Sequence, residues 1–303
     1  MNITPITLGT AQLTMPYGIA NSNNNISKES AFSLLENALE NGINTWDTSP
    51  TYGKSEEIIG DYLKNNNQPE VIICSKLPSI IKRYGENLTK EAIKNIVSKN
   101  IDTSLSSLQR EKIEYYLIHD EQDFNVFGSE LVYALAECIE DGKIDAIGIS
   151  VYSPKIATIA VREKKIKLIQ LPLNVFDHRF ERHISEASFN NLKVIVRSVY
   201  LQGLFFLSLD MCKKKIPLAH APLNRLLQIT SDYNLSIAEI AFKYVRSTKG
   251  IISMVIGMEN SQQLNENVTL LDTQKLPIEL INEINNTFRD IPIEVLDPSR
   301  WKN

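Results

Sequence analysis

Four residues in this chain are of types that together can move a proton: Asp47, Tyr52, Lys76 and His119. Asp47 and Tyr52 lie in INTWDTSPTYGKSEEIIG (43–60), where an apolar run gives way to a helical pattern. Lys76 follows VIICS and His119 follows EYYLI. A tyrosine normally releases its proton near pH ~10, too high for easy exchange at neutrality. A neighbouring ammonium favours the phenolate, so Lys76 is expected to acidify Tyr52, with Asp47 holding Lys76 charged and in place. His119 can donate a hydrogen bond to a substrate oxygen. Such a group suits the protonation of an oxygen on which negative charge is developing. It needs no side-chain nucleophile and shows no metal-ligand spacing, which points to a carbonyl that receives hydride from an organic cofactor. Taken singly, each residue has a plainer reading: a turn cap, a solvated lysine, a structural histidine, a packed ring. Lys76 alone also fits Schiff-base chemistry in a lyase or epimerase, although an Asp47 partner weakens it as a nucleophile.

The elements that must bring the four together follow from the pattern of apolar residues. Short apolar runs at 6–9, 43–47, 71–75, 114–118, 144–149, 167–171, 193–197 and 251–256 read as strands. Several are continuous rather than alternating, as in parallel strands buried on both faces. Helical patterns lie at 28–41, 54–65, 89–108, 129–141, 153–164, 179–190, 236–248 and 260–270. Ser27 is placed to cap the first of these and Gly42 to end it. EDGK (140–143) reads as a helix stop rather than a hairpin turn. Eight alternations predict a closed (β/α)₈ barrel in a single domain spanning 1–303, with its active site at the C-terminal strand ends. Asp47, Lys76 and His119 end successive strands on that scheme, and Tyr52 opens the next helix. The rival doubly wound sheet lacks support, because GTAQLTMPYG after the first strand has no G-x-G-x-x-G turn. NSNNN (21–25) and NNN (65–67) read as polar loops, and 199–222 as a long connection of the kind that covers ligands.

Composition narrows the class. The 303 residues are 43% hydrophobic and 22% charged, with a net charge of −4. No apolar run approaches a membrane span, and no secretory signal is evident, so a cytoplasmic enzyme is expected. Three scattered cysteines give no disulfide framework. The acidic balance excludes an extended nucleic-acid surface, and KKK (213–215) reads as solvated.

These residues resemble the aldo-keto reductase family over essentially the whole chain. LGTAQ is similar to the opening strand, GINTWDTSPTYGKSEEIIG to the Asp/Tyr signature, ICSKLP to the lysine strand, YYLIHD to the histidine strand and GKIDAIGIS to the fifth. MVIGMENSQQLNEN resembles the segment that meets the adenosine half of the cofactor. The resemblance implies a barrel that binds NADPH extended, without a Rossmann domain. It implies Tyr52 as general acid, His119 as substrate orienter, and Asp47 with Lys76 as the tuning pair. Gly9, Thr10 and Ala11 would approach the nicotinamide ribose, and Ser150 and Gln170 the carboxamide. Arg197 and Ser198 join the cofactor set, Gln202 and Gly203 lie on the loop crossing the pyrophosphate, and Glu266 and Asn267 meet adenine.

The chain departs from the family pattern at three places. Val151 stands where many members have Asn. Arg197 stands where many stack a Tyr or Trp on the nicotinamide, a role a guanidinium plane can also fill. Gly257 and Gln263, with Glu259 nearby, stand where NADPH-selective members have cations. NADP(H) remains favoured by family habit, with NAD(H) as the alternative, and Asn260 or Ser261 could still donate to a phosphate. The expected partner is a small carbonyl compound, polar or sugar-like if Arg179, Arg197 and His178 face it. Tyr17, Phe124, Phe127, Tyr152, Phe176, Phe205 and Trp301 are candidate lining residues. A non-catalytic, cofactor-sensing subunit of the same fold is the alternative function. Oligomeric state is not legible in the sequence.

Overall fold

Parallel strands buried on both faces need helices outside and side chains inside, and a ring of eight satisfies both demands without leaving an edge. The computed structural model describes residues 2–20, 26–66 and 68–301. Among them β1 (Ile6–Gly9), β2 (Thr45–Asp47), β3 (Ile72–Leu77), β4 (Ile113–Ile118), β5 (Ile144–Ser150), β6 (Ile166–Pro172), β7 (Lys193–Arg197) and β8 (Ser253–Gly257) pair in sequence order. β8 returns to β1 and closes the barrel. The expected fold class is therefore the observed one, and each strand matches its sequence expectation to within two residues.

The helices are α1 (Lys28–Glu40), α2 (Ser55–Asn65), α3 (Ile80–Tyr84), α4 (Lys90–Leu108), α5 (Glu121–Glu140), α6 (Pro154–Ala160), α7 (Glu181–Phe189), α8 (Leu209–Lys215), α9 (His220–Tyr233), α10 (Ile237–Ser247), α11 (Ser261–Thr269), α12 (Ile278–Thr287) and α13 (Ile293–Leu296). The Ser27 hydroxyl accepts from the Ser30 amide at the start of α1. Gly42 N donates to Leu39 O and Ile43 N to Ala38 O, the paired bonds that let α1 turn directly into β2. Asp141-Gly142 stops α5 in the same way, with Gly142 N on Ile139 O and Lys143 N on Cys138 O.

One loop expectation is corrected, and one helix begins earlier than its sequence pattern. Residues 121–127 coil ahead of a non-helical Gly128 because Asp120 caps Gln122 N, so Phe124 and Phe127 face the core one turn apart. The stretch 199–222 is not structureless: it holds a 3₁₀ segment at Leu201–Phe206, all of α8, and the start of α9. The lysines of KKK are exposed at the C-terminal end of α8, where cations suit the helix dipole. The expected polar loop at 21–25, and Asn67, lie outside the described residues.

Inside the barrel Cys74, Leu117, Leu168 and Ile195 pack together. Strand alternation then fixes the next inward position on β3 as Lys76, two residues beyond Cys74. The mouth of the barrel is thus where an apolar interior gives way to charge.

Candidate active site

The end of β2 is pinned before any chemistry is considered. Thr10 N and Oγ1 both donate to Asp47 O, at 3.0 and 2.9 Å, and Ser55 Oγ donates to Thr10 Oγ1 at 2.7 Å. The turn that follows is closed by Tyr52 N on Ser49 O and Ser55 N on Tyr52 O, and Thr14 Oγ1 donates to Tyr52 O at 2.6 Å. Gly53 completes this turn at φ 55°, and a Cβ there would come 2.8 Å from Thr14 Oγ1, so only glycine is comfortable.

Asp47 and Lys76 are 3% and 1% exposed and pair at 2.5 Å between Oδ1 and Nζ. Lys76 Nζ also donates to Thr48 O at 2.9 Å, and Gln170 Nε2 donates to Asp47 Oδ2 at 2.7 Å. Each Asp47 oxygen therefore has a donor, as a buried carboxylate requires. The Lys76 ammonium lies over the Tyr52 ring, 4.8 Å from its centroid, and the His119 ring stands edge-on to Tyr52 at 6.0 Å and 86°. The four residues from neighbouring strand ends thus meet, as their spacing predicts.

Their electrostatics differ from expectation. Burial first, and the Asp47 carboxylate second, hold the Tyr52 phenol well above the ordinary tyrosine range, with Arg197 opposing them. The expected acidification by Lys76 fails because that charge is cancelled at 2.5 Å by Asp47, so the phenol faces an ion pair rather than a free cation. Burial first, then Lys76 and Arg197, push His119 down to about 3, so its imidazole is neutral at pH 7. Neither His119 ring nitrogen hydrogen-bonds to another described residue, and the ring sits beside Tyr52 rather than in the lining of the adjoining cavity. Lys76 does not line the adjoining cavity, and the Schiff-base reading loses its accessible nucleophile.

That cavity has a volume of about 500 Å³ and runs from Tyr52 and Asp47 to Asn267. Gly9, Thr10, Ala11, Gln170, Arg197, Ser198, Gln202, Gly203, Gly257, Gln263, Glu266 and Asn267 all line it. Sequence reasoning missed Gln12, Tyr200, Ala238 and Val255, which also line it. Gln12 carried a signal, standing two residues beyond Thr10, whereas Ala238 on α10 carried none.

Several residues sit in the cavity wall with their side chains already engaged. The Thr10 hydroxyl is held between Ser55 and Asp47. Asn267 accepts from Tyr200 OH at 2.5 Å and donates to Gln263 O at 2.7 Å. Asn260 caps α11 through Gln263 N, and Gln263 Oε1 accepts from Glu259 N at 2.8 Å. Ser150 lies just behind the wall, paired in register with Gln170, and its hydroxyl is buried without a partner.

A span crosses the cavity from β7. Ser198, Leu201, Gln202 and Gly203 have φ of 63°, 44°, 50° and 85°, a run of left-handed residues three of which bear side chains. Such backbone is adopted only where surrounding contacts impose it. Those contacts come from the segment after β1: Ile19 N donates to Gln202 O at 2.8 Å, Gln202 Nε2 to Tyr17 OH at 2.9 Å, and Lys215 Nζ to Ile19 O at 3.0 Å.

Other expected lining residues belong elsewhere. Phe176 and Phe205 stack edge-on at 4.9 Å in the core, and Phe124 and Phe127 are buried there too. Trp301 packs against the core and donates to Val295 O. Arg179 forks onto the buried Asp177 at 2.8 and 2.7 Å, and His178 bonds to Val175 O. Tyr17 does line the cavity, and Tyr152 stacks on Arg197.

A closed parallel barrel with Asp, Tyr, Lys and His gathered at one mouth is the frame of the aldo/keto reductases. The sequence profile described as the Aldo/keto reductase family matches residues 5–288, and the chain belongs to that family. It is 25% identical over 298 residues to an uncharacterized oxidoreductase of Bacillus subtilis, YqkF, covering 94% of this chain and 96% of the relative. It is 25% identical to the NADH-specific methylglyoxal reductase of Escherichia coli, covering 82% and 85%. The structure of a glycerol dehydrogenase from Gluconobacter oxydans superposes with a TM-score of 0.71 at 21% identity, covering 98% and 94%, which bears on the fold alone. The protein is accordingly an oxidoreductase of a family that uses nicotinamide cofactors. No helix among the described residues is long and apolar enough to cross a membrane.

Proposed function

We infer that the protein interconverts a small carbonyl compound and its alcohol, with Tyr52 giving or taking the proton. The observation that carries this reading is the meeting of Tyr52 and a neutral His119 beside the buried Asp47–Lys76 pair, at one end of a cavity sized for a dinucleotide. The cavity lining suits a nicotinamide dinucleotide: Gln170 lines it with Oε1 free to accept from a carboxamide, and the orphaned Ser150 hydroxyl lies just behind it on the adjacent strand end. A nicotinamide held by Gln170 and the other lining residues would supply hydride chemistry there, in either direction.

The chain's own residues do the rest. His119 donates a hydrogen bond to the carbonyl oxygen and orients it. Tyr52, kept protonated by burial and by Asp47, releases its proton to that oxygen as charge builds there. The Asp47–Lys76 pair lies against the ring, with Lys76 Nζ 4.8 Å from its centroid, and fixes its position. A small carbonyl, polar or sugar-like, fits this rim, and NAD(H) suits the far end better than NADP(H). Glu259 and Glu266 line that end and Arg197 is the one cation in the cavity lining among the described residues, so a 2′-phosphate would meet carboxylates while a 2′-hydroxyl could donate to them.

The test is twofold. NADH and NADPH are titrated by fluorescence, and a panel of aldehydes, ketones and keto sugars is then assayed with wild type and Tyr52→Phe. NADH is expected to bind more tightly, and Tyr52→Phe to lose about 10²–10⁴-fold in kcat with little change in coenzyme Kd. Undiminished turnover in Tyr52→Phe removes the phenol from the chemistry. Tight coenzyme binding without turnover on any carbonyl favours a cofactor-sensing subunit.

A further inference from the structure

Among the described residues, Arg197 is the charged group at the mouth that has no counter-ion. Arg179, in the loop after β6, is forked onto Asp177. Arg197 donates from Nη2 to Val151 O at 3.1 Å and reaches Ser198 Oγ from Nη1 only at 3.5 Å, while Nε is buried with no partner. Tyr152 covers one face of its guanidinium, 4.1 Å from the ring centroid. The acids of the neighbouring strand ends are engaged elsewhere. Asp47 holds Lys76 and Gln170, Asp120 holds Lys82 at 2.8 Å, and Glu121 accepts from Tyr152 N and Ser153 N at 2.6 and 3.0 Å. A guanidinium has five N–H donors in a fork that matches a carboxylate; here one hydrogen on each of Nη1 and Nη2 is left unused, and Arg197 lines the cavity that Tyr52 also lines.

We propose that Arg197 selects the substrate: the protein acts on carbonyl compounds that carry a carboxylate, and Arg197 binds that group while Tyr52 and His119 hold the carbonyl. The proposal rests on the reading of Tyr52 as proton donor to a carbonyl and names the substrate class for it. A half-buried cation without a protein acid, in a chain of net charge −4, is the arrangement expected when the anion arrives with the ligand. Neutral Ser198 Oγ and Val151 O fix the guanidinium without cancelling it. Arg197 also opposes the rise in the Tyr52 pKa and adds to the fall in that of His119, so it acts on both groups that would hold the carbonyl.

The experiment has a binding arm and a turnover arm, each on the full chain. Acetate and benzoate are titrated calorimetrically into the coenzyme-loaded protein at pH 7, with acetamide and benzamide as neutral controls of like shape. Wild type is expected to prefer the carboxylates, and Arg197→Met to lose that preference by about tenfold or more, with Arg197→Lys between them. In turnover, the ratio of kcat/KM for 4-carboxybenzaldehyde over its methyl ester is expected to fall by a similar factor in Arg197→Met. The proposal is overturned if wild type does not prefer the carboxylates, if the preference survives in Arg197→Met, or if that variant weakens NADH binding while leaving carboxylate binding intact, which assigns Arg197 to the coenzyme. Failure of the reductase reading looks different: Tyr52→Phe would keep full turnover while carboxylate binding still depended on Arg197.

Discussion

The two ends of the cavity are held by different means. At the Tyr52 end every element is anchored to strand: Asp47 closes β2, Lys76 lies within β3, His119 follows β4, and the ion pair behind the phenol is almost wholly buried. At the far end the wall is a loop and a helix start. Its polar atoms are tied to one another, as in Asn267 with Tyr200 and Gln263 with Glu259, and it is covered by a span of left-handed residues. The first end is preorganised by the sheet, as the proton transfer proposed for it would require. The second is preorganised by local hydrogen bonds, which suffice to bind a ligand that does not react there.

The difference can be broken at the buried end with the largest effect. Lys76→Met leaves Asp47 buried with only Gln170 as donor, and is expected to cost about 3–5 kcal/mol in urea unfolding together with activity. An Asp47→Asn/Lys76→Met double variant should recover part of that stability without recovering turnover, since it removes the stranded charge but not the role. A double variant less stable than the single would show that the pair is not held together by its charges.

A change of pH sharpens the contrast with a smaller effect. His119 is ordinarily expected to protonate near 6.5 and in the folded chain does so near about 3. Between those values the unfolded chain takes up a proton that the native one refuses, so this contribution to stability is present above about 6.5 and is lost as pH falls toward about 3. The difference in unfolding free energy between wild type and His119→Gln should slope accordingly across that window. The His119 ring resonances should stay constant above pH ~4, following the cited shift. A resonance midpoint near neutrality would make His119 a cation at the mouth and remove the neutral donor assigned to it.

The smallest effect is expected at the span. Gly203→Ala places a Cβ 3.0 Å from that of Ala20 at a φ of 85°. A cost of about 1 kcal/mol is expected there, seen as roughly a fivefold rise in coenzyme Kd with kcat little changed. An equal loss in kcat would mean that the far end also positions the reacting atoms.

The same contrast explains what could be read from the sequence. The strands were legible because their apolar runs are continuous, and Asp47, Lys76 and His119 followed because each ends such a run. The span was not legible: nothing in SVYLQG states that Ser198, Leu201 and Gln202 adopt left-handed backbone, since contacts with Tyr17 and Ile19 impose it. Helix α9 was overlooked although Leu223, Leu226 and Ile229 face the core at helical spacing, because its start lies inside the stretch taken for a connection. The tyrosine's proton affinity was misjudged because residue types reveal a lysine nearby but not that an aspartate has already claimed its charge.

The bridge between Gln202 and the segment around Tyr17 also bears on how fast the protein can work. Two of its hydrogen bonds, Ile19 N to Gln202 O and Gln202 Nε2 to Tyr17 OH, join the halves directly. A ligand passing beneath the crossing has to part them, at about 1 kcal/mol each. Exchange of a bound dinucleotide would then depend on this bridge opening, while the strand ends beneath it stay in place.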